Sequence, residues 1–164
     1  MQRIFDLLIA VRDEDIDELE HVGNVAYVRW IQDIAVAHSA AVGLDFAAYR
    51  RLGAVFVVRR HEVDYLRPVL RGDRIEARTW IDTVMAAKCV RATELRRASD
   101  GERVATSRTT WGFVDVANGR PTRIPAEVRG AFGFSAIRGS KAIGEALGAD
   151  PDVKVVERDL PRAE

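Results

Sequence analysis

The chain has 164 residues and carries equal numbers of basic and acidic side chains, 25 of each. This balance gives no overall field that would favour nucleic acid, and no apolar run approaches the roughly 18 residues that a membrane-spanning helix needs. Apolar residues make up 48%, enough for one core, and the single cysteine, Cys89, cannot form an internal disulfide and therefore favours a reducing compartment such as the cytosol.

The first predicted elements are a strand and a long helix. Residues 4–12 form a run rich in Ile, Leu and Val, which predicts a strand. After an acidic loop, a helix is predicted over residues 24–42, because apolar residues recur there at spacings of three and four. The residues on this face are Tyr27, Trp30, Ile31, Ile34, Ala35, His38 and Ala41. Gly43 is suited to the left-handed position that ends a helix.

The second half of the chain predicts a series of strands. After a short helix over residues 46–52, the apolar period changes from helical to alternating. Strands are predicted at residues 54–66, 74–85, 88–97 and 103–116. Because their connections are short, we expect these four strands to form an antiparallel meander. A last short helix is predicted to begin within residues 123–128.

These elements predict an α+β domain in which an antiparallel sheet wraps around one long central helix. One helix covers only one face of such a sheet, so we expect the other face, with Trp80 and Trp111, to contact a second subunit. The domain is predicted to span residues 1–134. Residues 135–164, with several glycines and a charged end, are predicted to be a C-terminal extension.

The chemistry of the chain is concentrated in the loop before the long helix. Its acidic residues are Asp13, Glu14, Asp15, Asp17, Glu18 and Glu20. They lie where the helix presents free backbone N–H groups and the positive end of its dipole. Two interpretations remain open from these residues alone. The acids form either a solvated loop that stabilises the helix start, or part of a site.

The spacing in this loop resembles a known family. The matching residues are Asp15, Asp17, His21, Val22, Asn24 and Tyr27. The pattern is similar to the D-x-D-x-x-G-[HIV]-V-x-x-x-x-Y loop of hotdog-fold acyl-CoA thioesterases of the 4-hydroxybenzoyl-CoA thioesterase type. Two departures stand out: Glu20 replaces the usual glycine, and Gly23 replaces the first residue of the common Asn-Asn pair.

The resemblance implies a hotdog fold and a role for each residue of the loop. Asp17 would be the nucleophile or general base, and the backbone N–H of Asn24 would bind the oxyanion. His21 would line the pocket or orient Asp17, or it is an ordinary buried histidine. Tyr27 would lie in the core, or its hydroxyl would reach the site. Asp15 would hold the loop through backbone N–H groups.

The resemblance also implies an acyl-CoA substrate and a homodimer or homotetramer. Basic side chains on strands are candidates for the CoA phosphates, although solvated strand faces explain them equally well. These candidates are Arg59, Arg60, Lys88 and Arg91. Three scattered histidines and one cysteine give no metal-ligand spacing, so no metal or other cofactor is expected.

Three alternatives remain open. One is a hotdog hydratase or dehydratase, although the D-x-N-P-x-H string of one branch is absent. Another is a non-catalytic module that binds acyl thioesters. The third is a carrier-protein thioesterase of the polyketide type, which residues 22–25 resemble but which lacks the acid at the position of Asp17.

Overall fold

The computed structural model describes residues 3–134, and the predicted extension at 135–164 lies outside the described residues. The elements are β1 (Ile4–Ala10), α1 (Asn24–Ala41), α2 (Phe46–Leu52), β2 (Ala54–Tyr65), β3 (Arg74–Val84), β4 (Lys88–Arg97), β5 (Arg103–Asp115) and α3 (Ala126–Ala131). Their order and type are those predicted. No helix in this part of the chain has the length and apolar character to cross a membrane.

The strands form one antiparallel sheet in the order β1-β3-β4-β5-β2. The meander holds for β3, β4 and β5, but the prediction that β2 pairs with β3 was wrong. β2 pairs with β5 at the far edge, with Ala54 opposite Asp115 and Tyr65 opposite Ala105. The connection from Tyr65 to Arg74 crosses the end of the sheet instead. It spans three strand spacings, about 14 Å, a distance that eight extended residues easily cover.

The long helix α1 packs its apolar stripe against the inner face of the sheet. Seven of its residues are buried, and Ile34 is completely so. Ala41, predicted on the same face, is exposed because it lies at the last turn. This packing confirms the predicted sheet wrapped around a central helix. Burial of these side chains supplies the main driving force for the arrangement.

The outer face of the sheet is charged. Ion pairs cover it: Arg78–Asp6, Arg108–Asp82, Arg96–Glu94 and Arg103–Glu94. Trp111 lies on the inner face, where it packs with Cys89 and Phe113, so its predicted place on the outer face was wrong. The register between β4 and β5 shifts between Leu95 and Arg96, so a bulge interrupts the alternation of side chains along β5. Residues Val104 and Ala105, adjacent along the strand, are both fully buried.

Candidate active site

The acidic loop folds into a small hairpin in front of α1. Ile16 and Val22 form an antiparallel bridge, and the N–H of Asp17 donates to the carbonyl of His21 at 2.9 Å. The segment between β2 and β3 lies along the other side of this hairpin. There Val22 donates to the carbonyl of Val69 at 2.9 Å. The loop is therefore held from both sides rather than free in solvent.

The tip of the hairpin contains a strained residue. The N–H of Glu20 donates to the carbonyl of Asp17 at 3.0 Å, which closes a tight turn. Glu20 has φ +64°, the left-handed conformation that favours glycine. This explains why the resembling family has glycine at the position. The departure at Glu20 leaves the turn intact at some energetic cost.

The two carboxylate oxygens of Asp17 have different surroundings. Oδ1 accepts a hydrogen bond from the N–H of Leu19 at 2.9 Å and lies 3.8 Å from Nδ1 of His21. Oδ2 has no hydrogen-bond partner among residues 3–134. The Asp17 side chain remains 40% exposed, so solvent and a ligand both reach it. One oxygen thus orients the group while the other is available.

Gly23 allows this carboxylate to approach the start of α1. Gly23 is the N-cap of the helix, and a Cβ built on it would lie 3.3 Å from Cβ and 3.4 Å from Oδ2 of Asp17. Asn24 is the first helical residue, and within residues 3–134 its N–H has no acceptor. This is a free amide at the positive end of the helix dipole. The free oxygen of Asp17 therefore lies against Gly23, the residue that immediately precedes this amide.

Asp15 anchors the loop to the helix. Its side chain is completely buried and forms an ion pair with Arg29, a residue in the second turn of α1. Oδ2 also accepts from the N–H of Arg12 at 2.9 Å, as the predicted loop-holding role requires. The partners lie 14 residues apart, so no local pattern in the sequence indicated Arg29.

Tyrosines pack behind the helix start. Tyr27 is 3% exposed and lies edge-on to Tyr65, and burial is the main cause that raises the pKa of its phenol to about 12. Its hydroxyl is therefore neutral and in the core. The hydroxyl of Tyr65 donates to the carbonyl of Asn24 at 3.5 Å, a long hydrogen bond that links the end of β2 to the helix. Tyr65 was not among the predicted site residues, although it is the first residue of a Tyr-Leu-Arg-Pro segment over residues 65–68.

The predicted CoA-binding residues lie elsewhere. Arg91 is 3% exposed beneath α1, and its guanidinium donates to Nδ1 of His38 at 2.9 Å. A phosphate in solvent cannot reach it, so this candidate was wrong. The inward direction of Arg91 follows from its alternation with Cys89 and Thr93 on the same face of β4.

The other three basic candidates lie toward the far half of the sheet. Arg60 is exposed and pairs with Glu62, and the stem of Arg59 packs over Gly112, which is the partner of Lys88 across the strands. Along β2, Arg59 is six residues from Tyr65, which is about 20 Å at the rise of an extended strand. Within one chain, these basic side chains therefore lie far from Asp17.

An open groove lies beside the hairpin. Its volume is about 800 Å³ including the open side. The residues that line it are Ile16, Leu19, Glu20, His21, Leu70 and Arg71. Within the part of the chain that the structure describes, no group of three or more His, Cys, Asp or Glu residues could hold a metal ion. Half of these residues are apolar and half are polar or charged, and one of the polar ones, His21, lies next to Asp17.

The comparisons with a family model, a curated protein and solved structures agree with one another. A family model described as the Thioesterase-like superfamily matches residues 11–132. The acyl-acyl carrier protein thioesterase ATL2, a chloroplastic protein of Arabidopsis thaliana, is 23% identical over 128 residues, which are 78% of this chain and 68% of that protein.

Solved structures share the fold. Slr0204, a 1,4-dihydroxy-2-naphthoyl-CoA thioesterase from Synechocystis, aligns with a TM-score of 0.73 at 15% identity over 79% of this chain and 96% of its own. SAV2348, a hypothetical protein from Staphylococcus aureus solved in complex with CoA, aligns with a TM-score of 0.75 at 16% identity over 91% of this chain and 97% of its own.

Proposed function

This chain belongs to the Thioesterase-like superfamily, and we propose that it hydrolyses the thioester bond of an acyl-CoA with a fatty or aromatic acyl group. One observation carries the proposal. The free Oδ2 of Asp17 lies against Gly23, and the free N–H of Asn24 belongs to the next residue, at the start of α1. Thioester hydrolysis needs these two components, a carboxylate for the attack and a donor for the oxyanion.

In the proposed reaction, Asp17 acts on the carbonyl carbon in one of two ways. As a general base it takes a proton from water while the water oxygen bonds to the carbon, and as a nucleophile it forms an anhydride that water then cleaves. In both, the carbonyl oxygen gains negative charge and accepts the hydrogen bond from Asn24. Collapse of the tetrahedral intermediate breaks the carbon–sulfur bond and releases the thiolate. In the general-base route the thiolate takes up the proton that Asp17 removed from water, and in the nucleophilic route it takes up the proton released when water cleaves the anhydride. His21 would help to orient Asp17, since Nδ1 lies 3.8 Å from Oδ1.

Tyr27 has an indirect role in this proposal. Its burial and its raised pKa support a place in the wall behind the helix start rather than proton transfer. The groove beside His21, with Leu19 and Leu70 in its walls, would receive part of the substrate.

We also propose that the working unit is a homodimer, or a tetramer built from it, joined along β2. β2 has 12 residues and lies at one edge of the sheet, so one row of its backbone groups is unpaired by any other described strand. Antiparallel pairing with a second copy would place the first half of that copy's β2 near Tyr65. We further propose that Arg59, Arg60 and Lys88, which lie on the sheet that the two copies would share, contact the CoA phosphates. Sedimentation velocity measures the mass, and a monomer at all concentrations would contradict the dimer.

Replacement of Asp17 tests the activity. Asp17→Asn is expected to lower kcat by about a hundredfold or more for every acyl-CoA that the wild type cleaves, measured by thiol release. Glu18→Gln is the matched control because Glu18 is an exposed acid in the same turn, and we expect its kcat within about twofold of wild type. Unchanged turnover by Asp17→Asn would remove this residue from the mechanism.

The relative from Arabidopsis favours one alternative, an acyl group carried by a protein instead of CoA. The same acyl group is therefore offered on CoA and on acyl carrier protein, and the higher kcat/KM identifies the carrier. Hydration of a double bond without thiol release would indicate the hydratase. Binding without turnover would indicate the non-catalytic module. A cytosolic location stays a prediction from the single cysteine.

A further inference from the structure

We propose that Asp15, through its ion pair with Arg29, is the positioning residue that sets the distance between Asp17 and the helix amide. This inference rests on the proposed thioesterase function and adds a residue that acts through Asp17. Asp15 itself contacts no substrate because its side chain is completely buried.

Asp15 accepts three bonds, and its own N–H donates to the carbonyl of Arg12 at 3.0 Å. Its Oδ2 accepts from the N–H of Arg12 at 2.9 Å, and its Oδ1 is paired with the guanidinium of Arg29. Its backbone carbonyl accepts from the N–H of Gly23 at 2.9 Å. A single residue thus joins the end of the strand segment, the N-cap of α1 and the second turn of α1.

The attachment to Arg29 is what couples the loop to the oxyanion donor. Arg29 and Asn24 belong to the same helix, so they move as one rigid body. Asp15 and Asp17 belong to the same short hairpin, which is closed by the Ile16–Val22 bridge. The pair therefore fixes the hairpin relative to the helix, and with it the position of the Asp17 carboxylate.

Because the carboxylate of Asp15 is buried, its ion pair with Arg29 is costly to break. A carboxylate out of contact with water needs its partner, since an unpaired charge in such a place is strongly unfavourable. Arg29 supplies the charge while its own side chain is 45% exposed. Loss of the pair would allow the hairpin to shift, and a displacement near 1 Å at reacting groups lowers rates by about a hundredfold.

Glu14 provides a matched control. Its carboxylate lies 3.9 Å from the same Arg29 nitrogen and 3.3 Å from Arg12, but its side chain is 61% exposed. It therefore shares the partners of Asp15 without the burial or the bond to Gly23. An effect of charge alone would appear in Glu14→Gln, whereas an effect of positioning would not.

The experiment is a double-mutant cycle on kcat, with circular dichroism to confirm folding at the assay temperature. Asp15→Asn is expected to lower kcat about tenfold to a hundredfold with KM within about threefold, while Glu14→Gln stays within about twofold of wild type. Asp15→Asn added to Asp17→Asn is expected to cause no further loss, because a positioning residue has nothing left to position. A merely structural residue would lower kcat by the same factor in both backgrounds.

Arg29 gives a second, independent arm. Arg29→Lys keeps the charge and is expected to retain several times more kcat than Arg29→Gln, and this arm decides the question if Asp15→Asn does not fold. The inference is overturned if Asp15→Asn keeps kcat within about twofold of wild type, or if the two losses multiply. Absence of thiol release by the wild type with every acyl-CoA tested would instead overturn the proposed function, so the two failures are distinguishable.

Discussion

The carboxylate of Asp17 lies directly against Gly23, so that a Cβ at Gly23 would be 3.3 Å from Cβ and 3.4 Å from Oδ2 of Asp17. The backbone of Gly23 has φ −71° and ψ 150°, which any residue adopts without strain. Glycine is therefore needed here for close approach and not for its conformational freedom. The contact makes Gly23 a sensitive place to move the acid without removing it.

Gly23→Ala is expected to lower kcat about tenfold while the protein remains folded, because the new methyl group displaces Asp17 by a few tenths of an ångström. Steady-state kinetics and thermal unfolding together measure this. Gly130→Ala is the control, since a Cβ at Gly130 in α3 has no neighbour within 4 Å. Equal kcat in the two variants would show that Gly23 does not set the position of Asp17.

Glu20→Gly is expected to raise the free energy of unfolding by up to about 1 kcal/mol. The left-handed conformation at φ +64° is costly for glutamate, and glycine removes most of that cost, partly offset by the greater entropy of the unfolded chain. Urea unfolding measures the change. Glu18→Gly has no such strain to relieve and is expected to destabilise, so a loss of stability in Glu20→Gly as well would contradict the interpretation.

We expect the buried side chain of His38 to make the free energy of unfolding fall at acid pH. Burial first, and then the charges of Arg91 and Arg3, lower the pKa of His38 from 6.5 to about 4. Because the guanidinium of Arg91 only donates, Nδ1 of His38 must accept and the ring must be neutral with its proton on Nε2.

Because the pKa of His38 is lower in the folded protein than in the unfolded chain, the unfolded chain binds more protons at pH values between these two pKa values. The contribution of neutral His38 to the free energy of unfolding is therefore fully present above about pH 6.5. It is lost as the pH falls toward 4, by up to about 3 kcal/mol. Urea unfolding across this range measures it. His38→Gln should flatten the curve, and an equally steep curve in that variant would assign the acid sensitivity to other groups.

Cys89 is expected to be unreactive toward thiol reagents in the folded protein. It is 3% exposed, and burial is the main cause that raises the pKa of its thiol to about 12, so almost no thiolate forms at neutral pH. Ellman's reagent should detect no thiol in the native protein and one thiol per chain after denaturation. Rapid native reaction would place Cys89 at an accessible surface instead.

Much of the fold was predictable because the signals are local. The three- and four-residue period over α1 places Ile34 and Trp30 on the buried face, and the alternation along β3 places Ile75 and Ala77 inward. The position of β2 was not predictable in the same way. Its pairing with β5 depends on which edge is free after the meander forms, which is a property of the whole sheet.

The candidate site was likewise predictable only in part. The spacing of Asp17 and Asn24 made both groups candidates, because the loop and the helix start are adjacent along the chain. Alternation alone did not separate Arg91, which is buried against His38, from Arg60, which is exposed. The direction of a strand residue is set by which face the helix covers, and that is decided by packing.

The elements and the central helix could be predicted from the amino-acid sequence, and so could the candidate acid before the helix, since each prediction depends on residues a few positions apart. The folded chain adds contacts that no local pattern indicates: Asp15 is buried against Arg29, Gly23 lies against Asp17, and Val69 and Leu70 close the far side of the hairpin. No periodic signal in the sequence links these residues, so the contacts form only when the core brings their segments together.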